Sequence, residues 1–341
     1  MNPTSVFTIR TKNDFERTAL QLFQLQSEKN QVYPFGQRTQ SHGVYKKYVE
    51  QIGVNRKKVK SVSQIPFLPI EFFKTHEVIT SSRKSVSGNQ NLFLSSGTTG
   101  TERSKHYVSD ISLYEKSFRK SFELFYGDVK KYAILALLPG YYENRNSSLI
   151  YMMQDLIKQS KNKHGAFYNH KDENLSQAIK ILLQNKQKVI LFGVSFALLD
   201  CLPLEKGEKK NLIIIETGGM KGRREEITRE ELHKTLCEKF GVKKIHSEYG
   251  MTELLSQAYS NGDGIFKSPP WMKVFVRDAN DPFQILTHGK TGVFNIIDLA
   301  NINSCSFIAT QDIGRINKDG SFEVLGRMDN SDLRGCNLLA E

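Results

Sequence analysis

Cysteine is scarce in this chain. The four present, Cys201, Cys237, Cys305 and Cys336, form no C-x-x-C pair and hold no metal-like spacing with histidine, which argues against a zinc site and against a disulfide framework. Reduced thiols are the expectation. Long apolar runs are missing as well: none approaches the roughly 18 to 20 residues of a transmembrane helix, and Met1 to Arg10 lacks the apolar segment of a secretory signal. A cytoplasmic protein without a membrane span is expected. No internal repeat or low-complexity tract is visible, and 39% hydrophobic with 25% charged residues is a globular composition, not a disordered one.

Acidic residues are outnumbered, 36 Asp and Glu against 48 Lys and Arg, for a formal charge of +12. Such a balance suits phosphate-bearing ligands or an acidic partner. Nucleic acid is not the expected partner. The densest basic run, Arg56-Lys57-Lys58-Val59-Lys60, has no interleaved aromatics to stack bases and reads as a solvated helix end.

Short continuous apolar runs, the mark of buried parallel strands, occur at 91–94, 132–138, 189–192, 212–215 and 293–297. Helical stretches lie between them: one capped by Ser109 or Asp110 and running to Phe125, one from Asp172 or Asn174 to about Asn185, and one from Arg223 to Phe240 closed by Gly241. Strand and helix in alternation predict an α/β core with a mostly parallel sheet. Residues 1–85 read as a helical, polar lead-in containing Pro66 and Pro69, and 86–325 as the core. After about Lys273 the core becomes a smaller, mostly β subregion, with turn signals at His288-Gly289, Lys318-Asp319-Gly320 and Gly326.

The most informative segment is Ser95-Ser96-Gly97-Thr98-Thr99-Gly100, directly after the apolar Leu92-Phe93-Leu94. Glycines let the backbone turn tightly and aim N–H groups at an anion, and hydroxyls add donors to phosphate oxygens. It is not a Walker A loop, because no G-x-x-x-x-G-K-[S/T] runs through it. A plain Ser/Gly/Thr surface loop has the same composition.

The string S-S-G-T-T-G resembles the phosphate loop of the adenylate-forming superfamily, and further matches follow in order. Tyr249-Gly250-Met251-Thr252-Glu253 is similar to the Y-G-x-T-E motif. That likeness implies adenine against Tyr249, the α-phosphate near Thr252, and Mg²⁺ held by Glu253, a hard cation on an oxygen ligand. Gly218-Gly219 resembles the glycine pair that lets adenine approach the backbone. Asp312 matches the ribose-binding position of T-x-D, and Gly326-Arg327-Met328-Asp329 resembles the G-R-x-D hinge, with Arg327 also on ribose. The implied fold is that of the N-terminal domain of adenylate-forming enzymes, with ATP and Mg²⁺ as cofactors.

The chain departs from the superfamily at its end, where roughly a hundred residues and an active-site lysine are expected beyond the hinge; residues 326–341 read as hinge and truncated tail. The role of that lysine is then dispensable, supplied by another residue such as Lys105 or Lys221, or supplied in trans. The ending through Arg334-Gly335-Cys336-Asn337, with Pro139 to Met152, resembles the acyl-protein synthetases (LuxE-like) of bacterial luminescence fatty-acid reductase systems, over about residues 60–341. Asn144 interrupts that family's Glu-Arg pair. The resemblance implies activation of a fatty acid as acyl-AMP, transfer to Cys336, and delivery to an acyl reductase partner.

Other readings stay open: acyl transfer to coenzyme A or a carrier protein, as in phenylacetate-CoA ligase-like proteins, and a nucleotide-binding scaffold without catalysis. Gly193-Val194-Ser195-Phe196-Ala197 imitates the nucleophile elbow of a hydrolase, with Asp200 and His233 or His246 as arbitrary triad partners; a helix N-cap at Ser195 is the simpler expectation.

Overall fold

The computed structural model describes residues 3–28, 43–80, 91–96, 102–140, 144, 146–169, 172–204, 209–218 and 227–328. Contacts divide the chain into two compact units, residues 1–89 with 270–341, and residues 90–269.

In the unit formed by 90–269, apolar runs build the centre of a sheet ordered Ala166–Phe167, Tyr132–Leu137, Lys188–Val194, Leu212–Thr217, His246–Tyr249, Ala258–Ser260. All of these pairings are parallel except the last. Every residue of Tyr132–Leu137 is buried, because parallel strands joined by crossovers are covered on both faces. The helices Ile111–Tyr126, Ser148–Ser160, Glu173–Gln184 and Arg229–Phe240 belong to this unit. Asp110 and Asp172 cap the first and third, as expected, by accepting the N–H of Ser112 and Asn174. The last helix begins six residues later than predicted. There Thr228 and Glu231 form a reciprocal capping box, and Gly241 closes the far end at φ 65°.

Two strand expectations need correction. The segment Asn91–Leu94 is a strand, but it pairs antiparallel with Lys105–Val108 in a separate two-stranded sheet. Its connection, residues 95–104, is too short for the crossover that a parallel partner needs. The run at 293–297 lies in Thr291–Asp298, which is antiparallel to both of its neighbours.

In the other unit, antiparallel strands follow the order Phe322–Arg327, Phe307–Ile316, Thr291–Asp298, Met272–Arg277, and the short Leu68–Pro69 runs parallel to Phe307–Ile316. The lead-in helices Lys12–Glu28 and Val44–Gln51 pack on these strands. Phe23 and Tyr45 lie 6.2 and 5.7 Å from the Phe307 ring, and Phe67 lies 6.5 Å from it. Gln26, 1% exposed, donates to the carbonyls of Asn301 and Ile302 and accepts from the Ser306 N–H. Contacts therefore group residues differently from their linear order, since neither the lead-in nor the late strands buries its apolar face alone. Gly289 and Gly320 turn the chain at φ 84° and 85°, whereas Gly326 sits inside a strand opposite Ile313. Arg56–Lys58 is a short 3-10 turn capped by Asn55, and its Arg56 guanidinium holds the carbonyl of Ser27. Among the described residues no helix is long and apolar enough to cross a membrane.

Candidate active site

The strand Asn91–Leu94 delivers the chain to Ser95, and Lys105–Val108 returns it. Between them the hairpin is drawn tight at its neck. Ser95 donates its N–H to the Ser104 carbonyl at 3.1 Å, its Oγ accepts the Ser104 N–H at 2.9 Å, and its carbonyl accepts from Arg103 Nε at 2.5 Å. Ser95 thus spends its groups on closing the loop. Ser96 is exposed; Gly97, Thr98, Thr99 and Gly100 lie outside the described residues. Lys105 is 42% exposed, with its Nζ 3.9 Å from Glu102.

On the return strand His106 is fully buried, and its Nδ1 stands 2.8 Å from the Thr252 carbonyl. A carbonyl only accepts, so Nδ1 carries the hydrogen. This bond ties the loop's hairpin to the turn after His246–Tyr249. The turn is closed by the Leu254 N–H on the Met251 carbonyl at 3.2 Å and carries Thr252, half-buried, and Glu253, 5% exposed. Gly250 precedes it for a steric reason: a Cβ there would lie 2.5 Å from Glu248 Oε1. Glu248 is itself buried and accepts the Thr217 hydroxyl on the neighbouring strand. After burial, its charge is the next influence pushing the Tyr126 and Tyr259 hydroxyls above their usual range. Tyr249 is buried with its ring edge-on to Phe266, centroids 6.0 Å apart.

Gly218 follows Leu212–Thr217 at φ 66°, a conformation that glycine adopts without strain. Its carbonyl accepts from Ser195 Oγ at 2.5 Å, and the same hydroxyl lies 3.1 Å from Glu216 Oε2. Ser195 is not the N-cap expected from sequence. The cap is Val194, without a side-chain bond, and Ser195 opens the helix Ser195–Asp200 while gripping the strand beside it. Glu216, 3% exposed, also meets Arg229 Nη1 at 3.0 Å and His233 Nε2 at 3.5 Å. Burial works against its charged form, but His233, Arg229 and Ser247 outweigh that and hold the carboxyl below the usual range. Ser195 and His233 therefore both serve one carboxylate. Gly219 and Lys221 lie outside the described residues.

In the other unit, Asp312 and Arg327 face each other in register on adjacent antiparallel strands, Nε 4.0 Å from Oδ1. The Asp312 N–H is held by Thr310 Oγ1 at 3.1 Å, and that hydroxyl donates to the Phe294 carbonyl at 3.0 Å. Arg327 is 61% exposed, so the pair is loose.

The profile of one protein family, "Acyl-protein synthetase, LuxE", matches residues 24–341. The chain belongs to this family. Two solved structures resemble this member of the family in fold. ATP-bound MatB from Rhodopseudomonas palustris superposes with a TM-score of 0.51 at 17% identity, covering 69% of this chain and 47% of that one. Apo MatB from the same organism gives 0.50 at 17%, covering 74% and 50%. At such identity the likeness shows the fold alone, that of the N-terminal domain of adenylate-forming enzymes. The chain spans about half the length of these two structures. No curated protein matches it.

For this family member, sequence reading missed His106, Glu248 and the Ser195–Glu216–Arg229 cluster. The signal for His106 was its place one residue after Lys105 on an alternating strand, whose inward face it shares with Val108. Among the described residues no group of three or more His, Cys, Asp or Glu could hold a metal ion. Glu253 is an oxygen-donor carboxylate, and Mg²⁺ bound together with phosphates commonly takes one or two such groups from protein. Of the cysteines, Cys201 and Cys305 are buried, and burial pushes their thiols up to about 11 and about 12. Cys237 is half-buried, and its thiol is also raised, by burial first. Cys336 and Asp329 lie outside the described residues.

Proposed function

We propose that this member of the acyl-protein synthetase family is a cytoplasmic ATP-dependent ligase that activates a fatty acid as acyl-AMP and passes the acyl group to Cys336, for delivery to an acyl reductase. The observation that carries the reading is the His106–Thr252 bond, which joins the hairpin of the proposed phosphate loop to the turn bearing Thr252 and Glu253. The bond supports one phosphate site because it links segments 146 residues apart, the strand that follows the loop and the turn that carries Glu253.

In this reading the segment Ser95 to Gly100 holds the β- and γ-phosphates, with the neck at Ser95 and Ser104 fixing the loop's ends. Thr252 hydrogen-bonds the α-phosphate, and Glu253 holds Mg²⁺, which neutralises phosphate charge when bound. Gly218 and Gly219 give adenine access to backbone, with Tyr249 beside it, and Asp312 with Arg327 takes the ribose hydroxyls. The fatty acid carboxylate attacks the α-phosphorus in line, the bond to the bridging oxygen breaks, and pyrophosphate leaves. Lys105 stands beside the fatty acid carboxylate. The Cys336 thiolate then attacks the acyl carbonyl, and AMP departs with the electron pair of the broken C–O bond. The raised thiols of Cys201 and Cys305 support Cys336 as the acceptor, because a protonated, buried thiol is a poor nucleophile.

Release of pyrophosphate from ATP, measured across short, long-chain and aromatic acids, tests the first half-reaction. Release that depends on a long-chain acid and is abolished in Glu253→Ala is expected. Release independent of any acid, or none at all, would sink the reading.

A further inference from the structure

A cavity lies wholly within the unit formed by residues 1–89 and 270–341. Its volume is about 560 Å³, and Tyr48, Phe67, Pro69, Phe283 and Ile285 contribute its apolar wall. Phe283, 58% exposed, stands at the rim. The polar part of the lining consists mainly of Arg277, Asn295, Gln311 and Glu71.

Among the described residues, the guanidinium of Arg277 is held by neutral acceptors alone. Nε donates to Asn295 Oδ1 at 3.1 Å, Nη2 to the Thr310 carbonyl at 3.0 Å, and Nη1 to the Asp278 carbonyl at 3.4 Å. Those bonds use three of its five N–H groups. The bond from Nε fixes the Asn295 amide, since only its oxygen can accept, and so points Nδ2 elsewhere. That Nδ2 is buried and has no hydrogen-bond partner among the described residues. Buried donors are rarely left unmet without a reason. Across the lining, Glu71 takes the Gln311 side chain on Oε1 at 2.6 Å and forms no ion pair with Arg277 among the described residues. Glu71 is nonetheless close enough to be the main influence favouring the charge of Arg277 against burial. A cation with spare donors and a carboxylate with a spare oxygen therefore share one cavity without neutralising each other directly.

A lone anion would meet Glu71 as a like charge, and a lone cation would meet Arg277. A molecule carrying both charges a few bonds apart satisfies each and leaves its apolar part against the wall. We propose that this cavity binds a zwitterionic small molecule with an apolar body, of the α-amino acid class, its carboxylate on the spare N–H groups of Arg277 and its ammonium on Glu71. The volume is in the range of small-molecule sites, roughly 300 to 1,000 Å³. This site is independent of the adenylation reading, and either can fail without the other.

Calorimetric titration of the full chain with L-phenylalanine, 3-phenylpropionate and phenethylamine separates the charges without any mutation. L-Phenylalanine should bind at least about tenfold more tightly than either single-charge probe, the loss expected for a charged hydrogen bond. Glu71→Gln should weaken L-phenylalanine by a similar factor and improve 3-phenylpropionate; Arg277→Gln should weaken both. If Arg277→Gln fails to fold, the three probes on the wild-type chain and on Glu71→Gln still decide. Absence of L-phenylalanine binding, equal affinity for the three probes, or indifference to Glu71→Gln overturns the proposal.

Discussion

His106, itself fully buried, donates its Nδ1 hydrogen to the carbonyl of the half-buried Thr252, 146 residues later in the chain, at 2.8 Å. One imidazole thus couples the strand leaving the Ser95 loop to the turn that carries Glu253. Replacing it with alanine removes the bond, orphans a carbonyl and opens a void. His106→Ala should cost about 2 to 4 kcal/mol of stability and lower acid-dependent ATP–pyrophosphate exchange more than tenfold. His106→Gln, which keeps a donor, should recover part of both. Exchange kinetics beside thermal unfolding will show whether rescue follows the donor; equal activity in all three proteins would remove the tether from the mechanism.

Gly250 makes a sharper steric prediction. Its missing Cβ is the space in which Glu248 Oε1 sits, and Glu248 is pinned by Thr217. Gly250→Ala must displace one of them, at a cost of about 1 to 3 kcal/mol, and shift the turn bearing Thr252. Exchange activity should fall well beyond what the lost stability explains. A Gly250→Ala protein with native exchange would mean that the turn's position does not matter to catalysis.

Ser195 separates two readings of the same residue. As a hydrolase nucleophile, its loss would abolish all activity. As the clamp on Glu216 and Gly218, its loss should destabilise the fold by about 1 to 2 kcal/mol and raise the KM for ATP while leaving kcat within a fewfold. Steady-state kinetics of Ser195→Ala over a range of ATP concentrations distinguishes the two, and complete inactivity of a folded variant would favour the first.

Much of this architecture is legible in the sequence. The runs at 132–138, 189–192 and 212–215 are apolar without alternation because both faces of a parallel sheet are covered, and the strands lie where the runs do. Asp110 and Asp172 announce their helices by the chemistry of an N-cap. The direction of Asn91–Leu94 was not legible, since one apolar run looks the same in either kind of ladder; only the length of its return connection decides. The helix Ser148–Ser160 was overlooked, although Ile150, Met152, Met153 and Leu156 are its buried face. Of the site, the motif residues could be read in order. Their supports, His106, Ser195 and Glu248, could not, because a buried polar residue reveals its partner only when distant segments meet.

His246 gives a pH dependence of definite sign. Burial first, then Lys244 and His233, lower its pKa from 6.5 to about 4. Between those values the unfolded chain binds a proton that the folded chain refuses, so stability is lost as the pH falls from 6.5 towards 4. The whole contribution is at most about 3 kcal/mol. Denaturant melts at pH 7 and pH 4.5 should show His246→Gln losing less stability on acidification than the wild type. An identical acid loss in both would assign it to other groups.

Thiol labelling bears on the acceptor. In the native protein at neutral pH, Cys201 and Cys305 should resist iodoacetamide because they are buried and burial pushes their thiols up to about 11 and about 12. Peptide mapping after brief labelling should find both unmodified and become positive for them only on unfolding. Rapid native modification of Cys305 would contradict its burial and reopen the choice of acceptor.

The most direct test of the account is intact-mass analysis after incubation with ATP, Mg²⁺ and a long-chain fatty acid, on the wild type and on Cys336→Ser, with ATP–pyrophosphate exchange measured alongside. The account predicts a mass gain of one acyl group on the wild type, reversed by hydroxylamine and mapping to Cys336, and full exchange without the gain in Cys336→Ser. Acylation that persists in Cys336→Ser, or exchange in the wild type with no acyl retained, would contradict it.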